Sequence, residues 1–431
     1  MTGMYFKPFE KAEVRVLPSG LEIAVIRKPG FVRKYAVLAT RFGSQITKMR
    51  FMGDREEYEL PEGTAHFLEH KLFEREDGNM EEKFSELGAT SNAFTSSDIT
   101  GYLFCTDDKF IECLGLLFEL VYKPAFSDIG VESEKEIIKQ EIAMTRDDPD
   151  WMGYRTLLTL LYNRHPVALD PAGTVASVEE ISAEVLYAAH DAFYGSDNMT
   201  LLVVGDVDAE DVFGMASVLE SKYGSRKSEE VEITDVVEPR TVNITERVIR
   251  MDVARPIVWI GMKDDPGVFT SSAARRRMAA SVLIETVFGP SSALNDELYT
   301  GGIIDDNLSY DEHYASDYGY LNLVAATDRK DELIGKVKEA MKAAATDGID
   351  KESFDLALRR LTGGLLRSFD SEEFVAYEFL VDRFRGMDLM ERPSILAGIK
   401  LEEVNEVARV VFEEGKISIL TIEPVRNGRR A

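Results

Sequence analysis

The chain has 431 residues, with 50 Lys and Arg against 77 Asp and Glu for a formal net charge of −27, and 45% of it is hydrophobic. That length points to two to four domains, and the apolar share is enough for real cores, which excludes a disordered chain. An acidic balance without a clustered Lys/Arg face repels phosphate backbones, so nucleic acid is excluded as a partner and a basic peptide is electrostatically welcome.

Residues 1–10 lack the basic start, apolar stretch and small-residue cleavage site of a secretory signal. Apolar runs such as residues 199–204 fall far short of the ~20 residues that cross a bilayer. The expectation is a cytoplasmic chain without a membrane anchor. Residues 14–17 and 21–26, separated by Pro18-Ser19-Gly20, predict a β-hairpin.

Next in order comes His66-Phe67-Leu68-Glu69-His70, which uses two of the chain's five histidines. On a helix, His66, Glu69 and His70 share one face, while Leu68 and Leu72 point the other way. Zinc takes neutral imidazole nitrogens at about 2.0 to 2.1 Å, and histidines at i and i+4 can present them together. A carboxylate one residue before the second His can then reach a metal-bound water. Two incidental histidines on a packed helix are the plain alternative.

A catalytic zinc needs a third protein ligand. In residues 132–144, Glu141 is flanked on the helical wheel by Ile137, Ile138 and Met144, with Lys135, Glu136 and Lys139 on the far side. A carboxylate in such an apolar stripe is costly unless it is paired or bound to a metal. Glu134 lies two turns earlier on the same face, placed either to support a ligand or to favour the helix dipole as a first-turn acid.

Self-similarity at a period of about 220 residues sets the architecture. A helical pattern at residues 177–185 leads into the apolar strand 199–204, and 400–407 leads into 417–422 in the same way. Earlier in each half a helix ends at glycine (Gly88; Gly301-Gly302), and a strand beginning at Gly101 or Gly319 then runs into another long helix. The fold class expected is α+β, two homologous sheet-plus-helix units in tandem. Their expected spans are 1–224 and 240–431, joined by a charged linker over 225–239. The two cysteines, Cys105 and Cys113, match no disulfide framework or zinc finger and read as free core thiols. His165, His190 and His313 read as structural or solvated, and Arg275-Arg276-Arg277 as a solvated, salt-bridged helix face.

The histidine pentapeptide, Asn92-Ala93-Phe94-Thr95, and residues 134–144 ending in Gln-Glu-Ile-Ala-Met together resemble the pitrilysin/insulinase family of inverted zincins. Within it they look like the bacterial branch similar to the mitochondrial processing peptidase β subunit, and like bacterial members linked to modification of elongation factor P. The resemblance spans nearly the whole chain. It implies His66, His70 and Glu141 as ligands of one Zn2+, Glu69 as the base that activates water, and Glu134 as a supporting acid. It also implies Asn92, Ala93 and Phe94 as an edge strand to which an extended peptide adds.

The activity implied is that of a zinc metalloendopeptidase, processing-peptidase-like, working in a chamber of which this chain is half. The alternative is a zinc-bearing but proteolytically silent subunit of a larger assembly. A second family chain is thus implied as partner. The second half has no counterpart of the pentapeptide, its analogous helix reading Ala273-Ala274-Arg275-Arg276-Arg277. Tyr299 and Asp305 stand where relatives carry a substrate-binding Arg and Tyr, which favours a metal-free heterodimer partner over a homodimer.

Overall fold

Met199–Gly205 is buried at every position, as a central strand with both faces covered must be. It runs parallel to Glu22–Arg27 and antiparallel to Lys34–Thr40. The computed structural model describes residues 11–52, 57–75, 78–224, 226–234, 236–264 and 273–425. In it these strands form part of a six-stranded sheet in the order Ala12–Val16, Glu22–Arg27, Met199–Gly205, Lys34–Thr40, Thr100–Thr106, Thr90–Thr95. Ala12–Val16 and Glu22–Arg27 make the expected hairpin. Gly20 in its turn has φ +104°, a conformation that favours glycine. Among the described residues Thr90–Thr95 pairs with a strand on one side only, so it is an edge strand of the sheet.

The second sheet repeats this plan. Ile417–Pro424 runs parallel to Glu246–Met251 and antiparallel to Ile257–Asp264, and the order closes with Gly319–Ala326 and the edge strand Ser309–Tyr314. The α+β class with two like units therefore holds. The charged stretch after residue 225 is not featureless, because Val231–Ile233 pairs antiparallel with Lys48–Phe51.

The chain divides into two compact units. One comprises Met1–Ala143, Leu169–Val236 and Phe369–Phe384, and the other Met144–Ala168, Val237–Ser368 and Arg385–Ala431. Each unit thus includes a helix from the other half of the sequence. In the first, Glu372–Phe384 packs on Met199–Gly205 and Lys34–Thr40. Its Arg383 forms a bidentate pair with Glu22 at 2.5 and 2.8 Å. In the second, Pro149–Leu161 packs on Ile257–Asp264 and Ile417–Pro424. Gly153 permits that approach, since a Cβ there would fall 2.2 Å from the Trp259 indole nitrogen.

The remaining helices cover the other faces. Phe110–Tyr122 lies on Thr100–Thr106 in the first unit, and Ala273–Phe288 on Ser309–Tyr314 in the second. The three arginines of the latter helix are salt-bridged, but one of them is not solvated. Arg276 is buried and holds Asp264 through bonds of 2.8 and 2.9 Å. Losing one partner of such a buried pair costs about 3–5 kcal/mol. Cys113 is buried and Cys105 half-buried, both as free thiols.

Candidate metal centre

The helix Thr64–Phe73 buries Phe67, Leu68 and Leu72 completely. Packing that face turns His66, Glu69 and His70 to the opposite side, as the 3.6-residue period requires. The helix starts at Gly63, whose φ is +92° and whose Cβ would lie 2.6 Å from the Ala172 carbonyl oxygen. The imidazoles of His66 and His70 sit 4.6 Å apart between centroids.

Facing them is the helix Asp128–Arg146. Glu141 Oε1 lies 3.6 Å from His66 Nε2, and Glu141 Oε2 lies 3.7 Å from His70 Nε2. One donor atom from each of the three residues lies within 4.8 Å of the other two. Tetrahedral zinc at 2.0–2.1 Å from its donors holds them roughly 3.3–3.4 Å apart, so the trio needs little contraction to close on an ion. Burial, with His70 alongside, holds the His66 imidazole down at about 4, so it is a neutral donor at pH 7. Among the described residues this is the one group of His, Cys, Asp and Glu side chains placed to hold a metal.

Glu141 occupies this place for a different reason from the one its sequence neighbours suggest. The core-facing stripe of its helix is Val131, Glu134, Ile138 and Ile142, while Ile137 and Met144 are exposed. Glu141 is itself 41% exposed and faces the two imidazoles. The deeply buried acid is Glu134, 4% exposed, whose Oε1 lies 2.9 Å from His70 Nδ1. Glu134 thus lies against the His70 ring. Burial alone would raise its carboxyl, but the bonds from His70 and Glu74 bring it below its ordinary range. Burial likewise works against a charged His70, and the Glu134 bond and charge, with Glu69 and Glu141, raise it nonetheless.

Glu69 is not part of the trio. Burial pushes its carboxyl up, against the pull of a hydrogen bond from Thr95 and the charge of His70. Thr95 Oγ1 donates to Glu69 Oε2 at 2.5 Å, tying the edge strand to this carboxylate. The cleft here, about 330 Å³, is lined by Glu69, His70, Phe73, Asn92, Ala93 and Glu134 among others. Phe94 instead stacks edge-on against Tyr377 at 5.3 Å, which braces the strand from the side. Thr95 was quoted in the sequence motif but given no role, and Phe73 escaped the sequence reading, its only signal being the i+3 spacing from His70.

The other histidines lie elsewhere. His165 is buried with Nε2 3.2 Å from Asp317, and His190 donates to the Val121 carbonyl at 2.9 Å. His313 stacks on Tyr320 at 4.7 Å.

Residues 51–174 match the family model described as insulinase, peptidase family M16, and residues 180–361 the one described as peptidase M16 inactive domain. A Bacillus subtilis protein named zinc protease YmfH, itself uncharacterized, is 34% identical over 409 residues, 95% of each chain. The chain belongs to peptidase family M16. An M16-like peptidase from Alicyclobacillus acidocaldarius shares its fold with a TM-score of 0.92 at 29% identity, covering 96% of this chain and 99% of that one. Pitrilysin, 17% identical with a TM-score of 0.75, shares the fold over 99% of this M16 chain but only 46% of its own length. No helix among the described residues is long and apolar enough to cross a membrane.

Proposed function

We propose that this M16 chain is a zinc-dependent endopeptidase acting on extended peptides, with His66, His70 and Glu141 holding one Zn2+ and Glu69 serving as general base. The observation that carries this reading is the meeting of two imidazole nitrogens and a carboxylate from two helices, with the half-buried Glu69 carboxylate beside them. Zinc bound there would supply Lewis acidity toward the scissile carbonyl and toward water. Glu69 takes the proton of the attacking water and returns it to the leaving nitrogen, for which a carboxyl held above its ordinary range by burial is suited. Thr95 holds that carboxylate in place, and Glu134 fixes the His70 ring so that Nε2 faces the trio.

Substrate enters as a strand. The open edge of Thr90–Thr95 offers main-chain groups at Asn92, Ala93 and Phe94, which pair with any sequence. The net charge of −27 favours basic peptides. Because the chain matches about half of pitrilysin, a second family chain completes the chamber. Tyr299 is exposed and Asp305 is paired with Arg255, so a metal-free heterodimer partner supplying an Arg and a Tyr is preferred over a homodimer. The finer resemblance, to the processing peptidase β subunit and to members linked with elongation factor P, supports a processing role in the cytoplasm.

The test is metal analysis and cleavage of a quenched peptide library by the chain alone and with a second M16 chain, before and after chelation. One zinc per chain, with turnover lost on chelation and restored by zinc, supports the peptidase. Zinc bound without turnover in any pairing overturns it in favour of the silent structural subunit. In the same assay Glu134→Gln is expected to weaken zinc binding about 10- to 100-fold, measured by competition with a chromophoric chelator.

A further inference from the structure

The second unit holds a cleft at the place corresponding to the metal cleft of the first. It is bounded by the helix Ala273–Phe288, the edge strand Ser309–Tyr314 and the helix Lys351–Ser368, matching Thr64–Phe73, Thr90–Thr95 and Asp128–Arg146. The helix Arg392–Ala397 closes it. It is the roomier of the two, about 620 Å³ against about 330 Å³, a size that ordinarily accommodates a small ligand.

Its walls combine both signs of charge with an apolar surface. Glu285 is satisfied within the wall by Arg360 at 3.0 Å and the Tyr310 hydroxyl at 2.6 Å. Glu312 is less well matched, with the Ser281 hydroxyl at 2.7 Å and Arg277 only at 3.7 Å. Burial raises the Glu312 carboxyl above its ordinary range in spite of Arg277. Arg392 is 5% exposed at the cleft. Arg367 is exposed at its rim and has no ion pair among the described residues.

One further feature asks for space. Gly363 and Gly364 follow each other inside the helix Lys351–Ser368, where glycine weakens a helix. Nothing lies within 4 Å of where either Cβ would stand, so packing against the rest of the protein does not require them. Gly364 faces the cleft, and a side chain there would fill it.

We propose that this cleft is a second ligand site for an apolar zwitterion of the amino-acid and short-peptide class. The ligand's ammonium meets Glu312, its carboxylate meets the Arg367 and Arg392 guanidiniums, and its side chain lies against Leu361, Leu365 and Leu396. A lone anion would leave Glu312 facing it, and a lone cation would face the arginines. Only a ligand with both ends charged uses both walls. The site stands on the second unit alone, so this inference and the peptidase reading fail separately.

The experiment is titration calorimetry on the full chain carrying Glu69→Gln, expected to slow any hydrolysis by about 10²–10⁴-fold, with leucine, Leu-Leu, N-acetyl-Leu-Leu and Leu-Leu-amide. Leucine or Leu-Leu should saturate at micromolar to millimolar concentration, and either cap should weaken Leu-Leu by about tenfold or more. Gly364→Leu should abolish the heat. Arg367→Gln, on the exposed rim where folding is not at risk, should shrink the penalty of amidation, Arg392 remaining in place, while leaving that of acetylation unchanged. Leu-Leu at least about tenfold tighter than leucine identifies peptides as the source, and equal affinity identifies free amino acids. Absence of saturable heat up to about 10 mM overturns the proposal. So does binding indifferent to both caps, or heat that survives Gly364→Leu.

Discussion

Glu69→Gln is expected to cut peptide hydrolysis by about 10²–10⁴-fold while zinc content stays at the wild-type level. Glutamine keeps the shape of the side chain, and its carbonyl oxygen can still accept the Thr95 hydroxyl that holds Glu69 Oε2 at 2.5 Å. The trio of His66, His70 and Glu141 is untouched, so the loss isolates basicity from metal binding. The loss should therefore fall on kcat with KM little changed, since a proton acceptor acts in the transition state and not in substrate binding. Steady-state kinetics beside elemental analysis checks this. Activity retained within tenfold would mean that another group takes the proton.

His66→Ala should abolish stoichiometric zinc. The damage to packing can be separated from the loss of a ligand by comparing thermal midpoints with and without zinc. A metal that binds only the folded chain stabilises it by about 4 kcal/mol at a thousand times its dissociation constant. The wild type should show that upward shift, and the variant should show none, however far its metal-free midpoint has fallen. Protons should compete as well. His66, near 4, is neutral through most of the useful range, whereas the raised His70 must give up a proton to bind. Zinc affinity is thus expected to rise with pH until His70 has titrated, then to level off.

How much of this was readable beforehand differs from residue to residue. The pentapeptide was fully legible, because a 3.6-residue period sends Leu68 and Leu72 to the core and leaves one face for both imidazoles and Glu69. Glu141 was reached by a faulty route. A helical wheel counts apolar neighbours but cannot tell a core-facing flank from an exposed one, and Ile137 and Met144 are of the second kind. The acid that truly pays for burial is Glu134, which has His70 as its partner. The repeat of the two sheets was legible because Met199–Gly205 and Ile417–Pro424 are each mainly apolar and preceded by a helix. Val231–Ile233 was not, since three residues are too few to show a period. Arg276 was read as solvated because its partner Asp264 lies on a strand, twelve residues before it and outside its own helix.

The exchange of helices could not have been foreseen either. An amphipathic stretch such as Pro149–Leu161 announces that one face will be covered, not which sheet will cover it. A fragment ending at residue 236 would carry every candidate ligand yet lack Glu372–Phe384 over Lys34–Thr40 and Met199–Gly205. Those strands would then present a bare apolar surface prone to self-association. Cutting the chain between its two halves would therefore leave each sheet without the helix that the other half supplies.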